Sequence, residues 1–348
     1  MNTNSTKHIQ LLGCTLRDGG IVIDFNFGEA YMQEIKHTLE VSGVDYIECG
    51  YINELKGSPK GRTCFDNELS IKNSLLNSGK QSGVGYVAII DHNTFTLDNL
   101  HIADNTGIDG IRYAFHKEDM RKALKEAQKI ISKGYDLYIQ PMVSVRYNDE
   151  EFKEMINVCN SELSEAKAFY IVDSFGQMDN SLLLHQLEIA DLYVNETMTI
   201  GFHGHNNRQL VYSNALAMIA QQTRHDLLLD STVMGMGKGA GNLCTELIMT
   251  VLNEKGGKYY ANGIYNLIDG YIAGLQRSYP WGYNLDYYLS SLYGCTPSYI
   301  KLFTKDSRVN TDVLISLLKN MPEEKKAACD KVFAEKYLTE YFNKENDN

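Results

Sequence analysis

The stretch Ile200-Gly-Phe-His-Gly-His-Asn-Asn207 sets two histidines two residues apart, with Gly201 and Gly204 keeping the neighbouring backbone bare. In an extended segment side chains at i and i+2 share a face, so His203 and His205 would project together. Two imidazoles side by side at the end of a strand can ligate a metal ion or form a hydrogen-bonded pair, and H-G-H alone leaves those readings level. The other end of the chain tips the balance, because Cys14-Thr-Leu-Arg-Asp-Gly-Gly20 offers Asp18 as a third ligand. Two neutral imidazoles and one carboxylate leave coordination positions open for a substrate. Nitrogen and oxygen ligands without thiolate suit one divalent ion, Mn²⁺ or Mg²⁺ first, then Co²⁺ or Zn²⁺, and Fe²⁺ also fits. Arg17 would place a permanent cation beside that ion, suited to an enolate or carboxylate oxygen, or else form a salt bridge at the rim.

Those residues need a scaffold that brings position 18 to position 203. The chain has 348 residues, 43% hydrophobic and 22% charged, which is the make-up of a globular protein with a large core in one or two domains. A net charge of −11 without a basic stripe argues against nucleic acid and anionic membranes as partners. The polar segment Met1–His8 is not that of a signal peptide, no apolar run approaches a membrane span, and a cytoplasmic location is expected. Seven scattered cysteines, odd in number and without C-x-x-C spacing, are expected to be reduced rather than bridged or bound to zinc.

Apolar runs near 9–17, 45–51, 84–90, 108–115, 136–145, 168–173, 198–203 and 227–233 read as strands. They are apolar throughout rather than alternating, as in parallel strands covered on both faces. Between them lie helical patterns near 28–42, 66–79, 94–105, 117–133, 149–163, 180–195, 208–222 and 241–254, with Asn206 and Asn207 as caps for the helix at 208–222. The clearest is 117–133, where Met120, Ala123, Leu124, Ala127, Ile130 and Ile131 recur at helical spacing before Gly134. Eight strand–helix units predict an α/β fold, a (β/α)₈ TIM barrel, over an open doubly wound sheet. Residues 1–256 would form that domain. Residues 257–348 change character, being Tyr-rich to about 300 and helical over 311–342, and read as a mostly helical extension lying over the barrel mouth, with a polar KENDN end expected to fray.

In such a barrel chemistry sits where strands end at the C-terminal face. The positions there are Arg17 and Asp18 after the first strand, Glu48 in the second, Arg112 in the fourth, Asp173-Ser174-Phe175-Gly176 after the sixth, and His203 with His205 in the seventh. The eighth runs into Gly235-Met-Gly-Lys-Gly-Ala-Gly-Asn242, which fits neither nucleotide-loop pattern and instead lets backbone pass close to the site, with Asn242 or backbone amides on the ligand. Non-haem iron oxygenases use a similar ligand set, usually on β-sandwiches, so the barrel pattern counts against that use.

The runs C-T-L-R-D-G-G (14–20), D-S-F-G (173–176), G-F-H-G-H-N-N (201–207) and D-S-T-V-M-G-M-G-K-G-A-G-N-L-C-T-E (230–246) resemble the DRE-TIM metallolyase superfamily, in the same order. Among its branches the chain is most similar to the 4-hydroxy-2-oxovalerate aldolase-like catalytic domain. The resemblance implies that Asp18, His203 and His205 bind the metal with help from Asn242. It also implies that Arg17 stabilises an enolate oxygen, that Ser174 contacts substrate, and that Glu48 occupies an acidic position of the lyases. Position 21 departs from the pattern, carrying Ile21 where the aldolases have a catalytic histidine, and the loop cysteine of the lyases is absent from 234–240.

The expected function is a metal-dependent carbon–carbon lyase acting on a 2-oxo or 4-hydroxy-2-oxo acid through a stabilised enolate, with an aldehyde or sugar-like acceptor. A Claisen-type acyl-CoA condensing enzyme and a metal-retaining, non-catalytic binding subunit are the alternatives. A homodimer, and a dehydrogenase or other pathway partner, are compatible with the resemblance. The missing histidine leaves Glu48 or a tyrosine among Tyr283, Tyr287, Tyr288 and Tyr293 as candidates for the base.

Overall fold

A computed structural model describes residues 8–346, with side chains through residue 344. The polar segment 1–7 and the last two residues, and with them the expectations about a signal peptide and the very end of the chain, lie outside the described residues. The strands are β1 (Ile9–Gly13), β2 (Tyr46–Ile52), a short β3 (Cys64–Phe65), β4 (Gly85–Asp91), β5 (Gly110–Phe115), β6 (Asp136–Pro141), β7 (Ala168–Asp173), β8 (Thr199–Gly204) and β9 (Leu227–Ser231). All pair in parallel in the order β1-β9-β8-β7-β6-β5-β4-β2-β3, and β1 also pairs with β2. That last pairing closes eight strands into a TIM barrel, with β3 appended to the edge of β2.

The strands are apolar on both faces because both are covered. On β1, β4, β7 and β9 one face (Leu11, Ala88, Ile171, Leu229) joins the main core beneath the helices. The other (Leu12, Val87, Tyr170, Leu228) fills the barrel interior. Most of the outer layer is α1 (Glu29–Val41), α2 (Glu68–Ser74), α3 (Met120–Ser132), α4 (Asp149–Glu162), α5 (Asn180–Tyr193), α6 (Val211–Ala220) and α7 (Thr245–Glu254). In α3 the buried positions are Ala123, Leu124, Ala127 and Ile130, one stripe of the predicted pattern.

Three expected helices differ, the one over 241–254 in beginning only at Thr245. The helix over 94–105 is absent, replaced by 3₁₀ turns at Leu97–Asn99 and Ala103–Asn105. Side chains there take the groups a helix would need: Thr94 Oγ1 donates to the Asp91 carbonyl at 2.8 Å, and the His101 amide donates to Glu68. The helix expected from Arg208 begins only at Val211. Asn207 does not cap it, since its side-chain oxygen accepts from the Ala240 amide at 2.9 Å, and Gln209 sits at φ 60°.

Beyond α7 the chain is helical: α8 (Asn262–Leu267) continues through a π-turn into α9 (Ala273–Ser278), followed by α10 (Leu285–Leu292), α11 (Ser298–Phe303), α12 (Thr311–Asn320), α13 (Glu323–Lys326) and α14 (Lys331–Asn346). Ile264, Leu267, Ile272 and Trp281 belong to the main core, whereas Leu289, Tyr299, Phe303, Leu314 and Leu317 form a second one. The second body docks on the loops that follow the strands. Arg208 donates to Ser291 Oγ and to the Ser291 carbonyl at 3.1 Å each. Ser291 Oγ donates to the Gly176 carbonyl at 3.0 Å, and Lys238 Nζ reaches Thr296 at 3.3 Å. The extension thus lies against the mouth of the barrel. Among the described residues no helix is long and apolar enough to cross a membrane, and all seven cysteines are free.

Candidate active site

At the C-terminal end of the barrel, ligand atoms of Asp18, His203 and His205 lie within 4.8 Å of one another, all buried. Asp18 Oδ2 is 3.5 Å from His203 Nε2 and 3.9 Å from His205 Nε2, and the imidazole centroids stand 5.3 Å apart. The opposite nitrogens are engaged. His203 Nδ1 is 2.8 Å from Asp230 Oδ2, and His205 Nδ1 is 3.1 Å from the Lys238 carbonyl. A carbonyl and an ionised carboxylate only accept, so both Nδ1 atoms carry protons, and the Nε2 atoms are the ones that face Asp18. Burial alone would raise the Asp18 carboxyl, but Arg17 and the two imidazoles outweigh it and hold it well below the usual range. Burial drops His205 to about 4, while for His203 the nearby carboxylates of Asp18 and Asp230 overcome burial and raise it.

Asn242 completes the group. Its Nδ2 donates to Asp18 Oδ1 at 2.9 Å, and its Oδ1 is buried without a partner, an acceptor that a cation would satisfy. The glycine-rich loop comes this close because Gly237 has no side chain: a Cβ there would lie 2.1 Å from Asn242 Nδ2 and 2.7 Å from Asp18 Oδ1. A divalent ion therefore fits the residues present. A second group, Cys14, His203 and Asp230, is also close enough to be considered. It suits a metal less well, because Asp230 already accepts from Arg112, from Tyr170 and from His203, and burial pushes the Cys14 thiol well up.

Arg17 donates from one terminal nitrogen to Asp18 Oδ2 at 2.6 Å and from Nε to Glu48 Oε2 at 2.7 Å. Glu48 is 0% exposed, and its other oxygen lies 2.8 Å from Arg112, out of hydrogen-bond alignment. Arg112 in turn pairs with Asp230 and lies over the Tyr170 ring. Asp18, Arg17, Glu48, Arg112, Asp230 and His203 thus form one continuous chain of charges that returns to Asp18. Burial alone would lower the Arg17 guanidinium, but Glu48 and Asp18 raise it, so it remains charged.

The HMGL-like family profile matches residues 87–269 of this sequence. The chain belongs to the HMGL-like family. It is 28% identical to a 4-hydroxy-2-oxovalerate aldolase of Bacillus cereus over 77% of this chain and 76% of that protein. It is 29% identical to the 4-hydroxy-2-oxovalerate aldolase of Carboxydothermus hydrogenoformans, over 76% of each. The fold is similar to the N-terminal domain of a candidate aldolase from Bacteroides vulgatus, with TM-score 0.76, 25% identity, and coverage of 88% of this chain and 99% of that one. Hydroxymethylglutaryl-CoA lyase of Pseudomonas aeruginosa shares the fold at TM-score 0.62 and 15% identity, over 78% of this chain and 95% of that one. This HMGL-like chain is accordingly an enzyme of the aldolase and lyase group rather than a non-catalytic subunit.

Of the other residues singled out in this HMGL-like sequence, Ser174 follows β7, and its hydroxyl accepts from the Val143 amide at 2.9 Å. The neighbouring Asp173 accepts from the Gln177 and Met178 amides at 2.7 and 2.9 Å, so the D-S-F-G run builds a turn as well as a rim. Tyr287, Tyr288 and Tyr293 pack against the second core, and Tyr283 is 62% exposed. Ile21 joins Phe25, Tyr51, Cys64, Ile89 and Ala114 in an apolar collar.

Two residues escaped sequence reasoning. Asp230, which orients His203, left only the signal of a lone acid in an apolar strand, which does not name a partner. Tyr51 left none, because a register shift between Glu48 and Tyr51 turns both residues inward although they are three apart.

Proposed function

We propose that this protein is a divalent-metal-dependent aldolase that cleaves 4-hydroxy-2-oxo acids to a 2-oxo acid and an aldehyde. The observation that carries the reading is the convergence of the His203 and His205 Nε2 atoms on Asp18, with Arg17 hydrogen-bonded to the same carboxylate. The curated relatives named for 4-hydroxy-2-oxovalerate support the substrate class. Asp18, His203 and His205 would hold the ion, with the orphaned Asn242 oxygen beside them. When bound, a divalent cation supplies Lewis acidity toward a 2-oxo group.

The chain's own residues do the rest. Arg17, charged and held at two points, meets the negative charge that develops on the 2-oxygen when the C3–C4 bond breaks. Glu48 and Arg112 hold Arg17 in place; sealed between two guanidiniums, Glu48 positions rather than moves protons. Asp230 fixes the tautomer of His203. The extension is docked on the loops of the mouth through Ser291 and Thr296.

The test is pyruvate formation from 4-hydroxy-2-oxovalerate by purified protein, before and after chelation and on return of Mn²⁺ or Mg²⁺. Activity that disappears on chelation and returns with the ion is expected. Full turnover in metal-free protein would reject the metal, and no turnover of any 4-hydroxy-2-oxo acid would reject the aldol reading.

A further inference from the structure

Retro-aldol cleavage needs a group that takes the alcohol proton, and neither Ile21 nor the sealed Glu48 offers one. On β4 the inward positions run Val87, Ile89, Asp91, so an acid stands above the apolar collar at the C-terminal end of the strand. Its carboxylate is not used to build the loop. Thr94 donates twice, from its amide at 3.0 Å and its hydroxyl at 2.8 Å, but both bonds go to the Asp91 backbone carbonyl. One side-chain oxygen, Oδ2, accepts from Tyr51 at 3.2 Å, and Tyr51 itself accepts from Asn53 Nδ2 at 3.2 Å. The Tyr51 proton is thereby directed at Asp91, and Oδ1 has no hydrogen-bond partner among the described residues. Besides Tyr51, which contacts Asp91 from β2, the charged and titratable groups that act on it electrostatically are Arg17 after β1, His116 after β5 and Lys238 after β9. Burial pushes the Asp91 carboxyl up, and these four only partly offset it. A carboxylate so placed is a better proton acceptor than an exposed one.

We propose that Asp91 is the catalytic base for the alcohol proton, held in position by Tyr51. The proposal rests on the aldol reading above. Asp91 Oδ1 takes the proton of the C4 hydroxyl, and the O–H electron pair becomes the second bond of the aldehyde carbonyl. The C3–C4 pair moves between C3 and C2, with charge carried to the 2-oxygen beside Arg17. Asp91 then returns its proton to C3, completing the methyl of the 2-oxo acid and regenerating the carboxylate, so no outside reactant is consumed.

The experiment compares two reactions in the metal-loaded enzyme. Oxaloacetate yields the same enolate by losing CO₂ and has no alcohol proton to remove, whereas 4-hydroxy-2-oxovalerate needs the base. Asp91→Asn keeps an oxygen for the Tyr51 hydroxyl. It should lose cleavage by about 10²-fold or more while releasing CO₂ from oxaloacetate at nearly the wild-type rate, since that release precedes protonation of C3 and Asp91 has there taken up no alcohol proton to return. Folding is checked by melting. Because the folded-state pKa of Asp91 lies above its unfolded value, its ionisation destabilises the fold as pH rises through that window, so Asp91→Asn should melt no lower than wild type at neutral pH. Tyr51→Phe removes a bond that favours the ionised carboxylate, and the acid limb of the kcat/KM profile for cleavage should move to higher pH. Near-normal cleavage by Asp91→Asn, equal loss of both reactions, or a selective loss of cleavage in His116→Gln instead would overturn the assignment. A wild type that decarboxylates oxaloacetate but cleaves no 4-hydroxy-2-oxo acid would reject the aldol reading itself, and the base with it.

Discussion

Asp18 is the residue on which most of the mouth converges: it accepts from Arg17, from Asn242 and from the Lys238 amide while facing the Nε2 atoms of two imidazoles. Removing its charge should therefore act on the ion before it acts on the fold. Asp18→Asn and His203→Ala are expected to purify with little or no divalent metal by elemental analysis, and wild-type content in both would reject the ligand set. For the wild type, adding the ion to stripped protein should raise the melting temperature, by the equivalent of about 2.7 kcal/mol at a hundredfold excess over Kd. Arg17→Lys keeps the charge but loses the planar fork that reaches Asp18 and Glu48 together. It should fold, bind the ion and lose roughly 10²-fold or more in kcat; wild-type turnover in this variant would remove Arg17 from the mechanism. Asp18, His203, His205 and Arg17 were readable as chemistry because their types and spacing are unusual. The orienting partner Asp230 was not, because a lone acid in an apolar strand announces burial and not a partner.

At the scale of elements, barrel strands were legible to within a few residues because each is apolar on both faces, a pattern few other elements produce. What alternation does not reveal is an interruption of alternation. The shift inside β2 brings Tyr51 to the same side as Glu48, and the predicted strand ending at 90 stopped one residue short of Asp91. Polar side chains that hydrogen-bond locally likewise dissolved the helix expected over 94–105, where Thr94 binds back to its own turn. The glycine-rich loop after β9 gives a direct test of close approach. Gly237→Ala would force a methyl into Asn242 and Asp18, whereas a Cβ at Gly270 meets nothing within 4 Å. Gly237→Ala should weaken metal binding at least tenfold by titration, about 1.4 kcal/mol, and Gly270→Ala should leave it unchanged. Equal affinities would mean that the loop relaxes and that its closeness is not needed.

On the scale of the whole molecule, two cores share one mouth. Arg208, just past β8, ties the extension down through Ser291 and also donates to the Gln177 carbonyl at 3.2 Å. Arg208→Ala should cost roughly 1.5–3 kcal/mol at that junction. The expected signature is faster proteolysis between the two cores, near 278–285, with the barrel fragment persisting; an unchanged digestion pattern would show that the docking rests on other contacts. The pairing of β1 with β9 has a consequence in time. Asp18 and Asn242 are hydrogen-bonded but lie 224 positions apart, and β1 finds its second neighbour only when Leu227–Ser231 has been made. At ordinary elongation rates Asp18 would wait roughly 10–45 s for Asn242. Throughout that interval the nascent chain carries an open strand edge at its start and lacks the full cluster of Asp18, His203, His205 and Asn242, so the proposed ion would find no comparable set of donors while the ribosome is still at work.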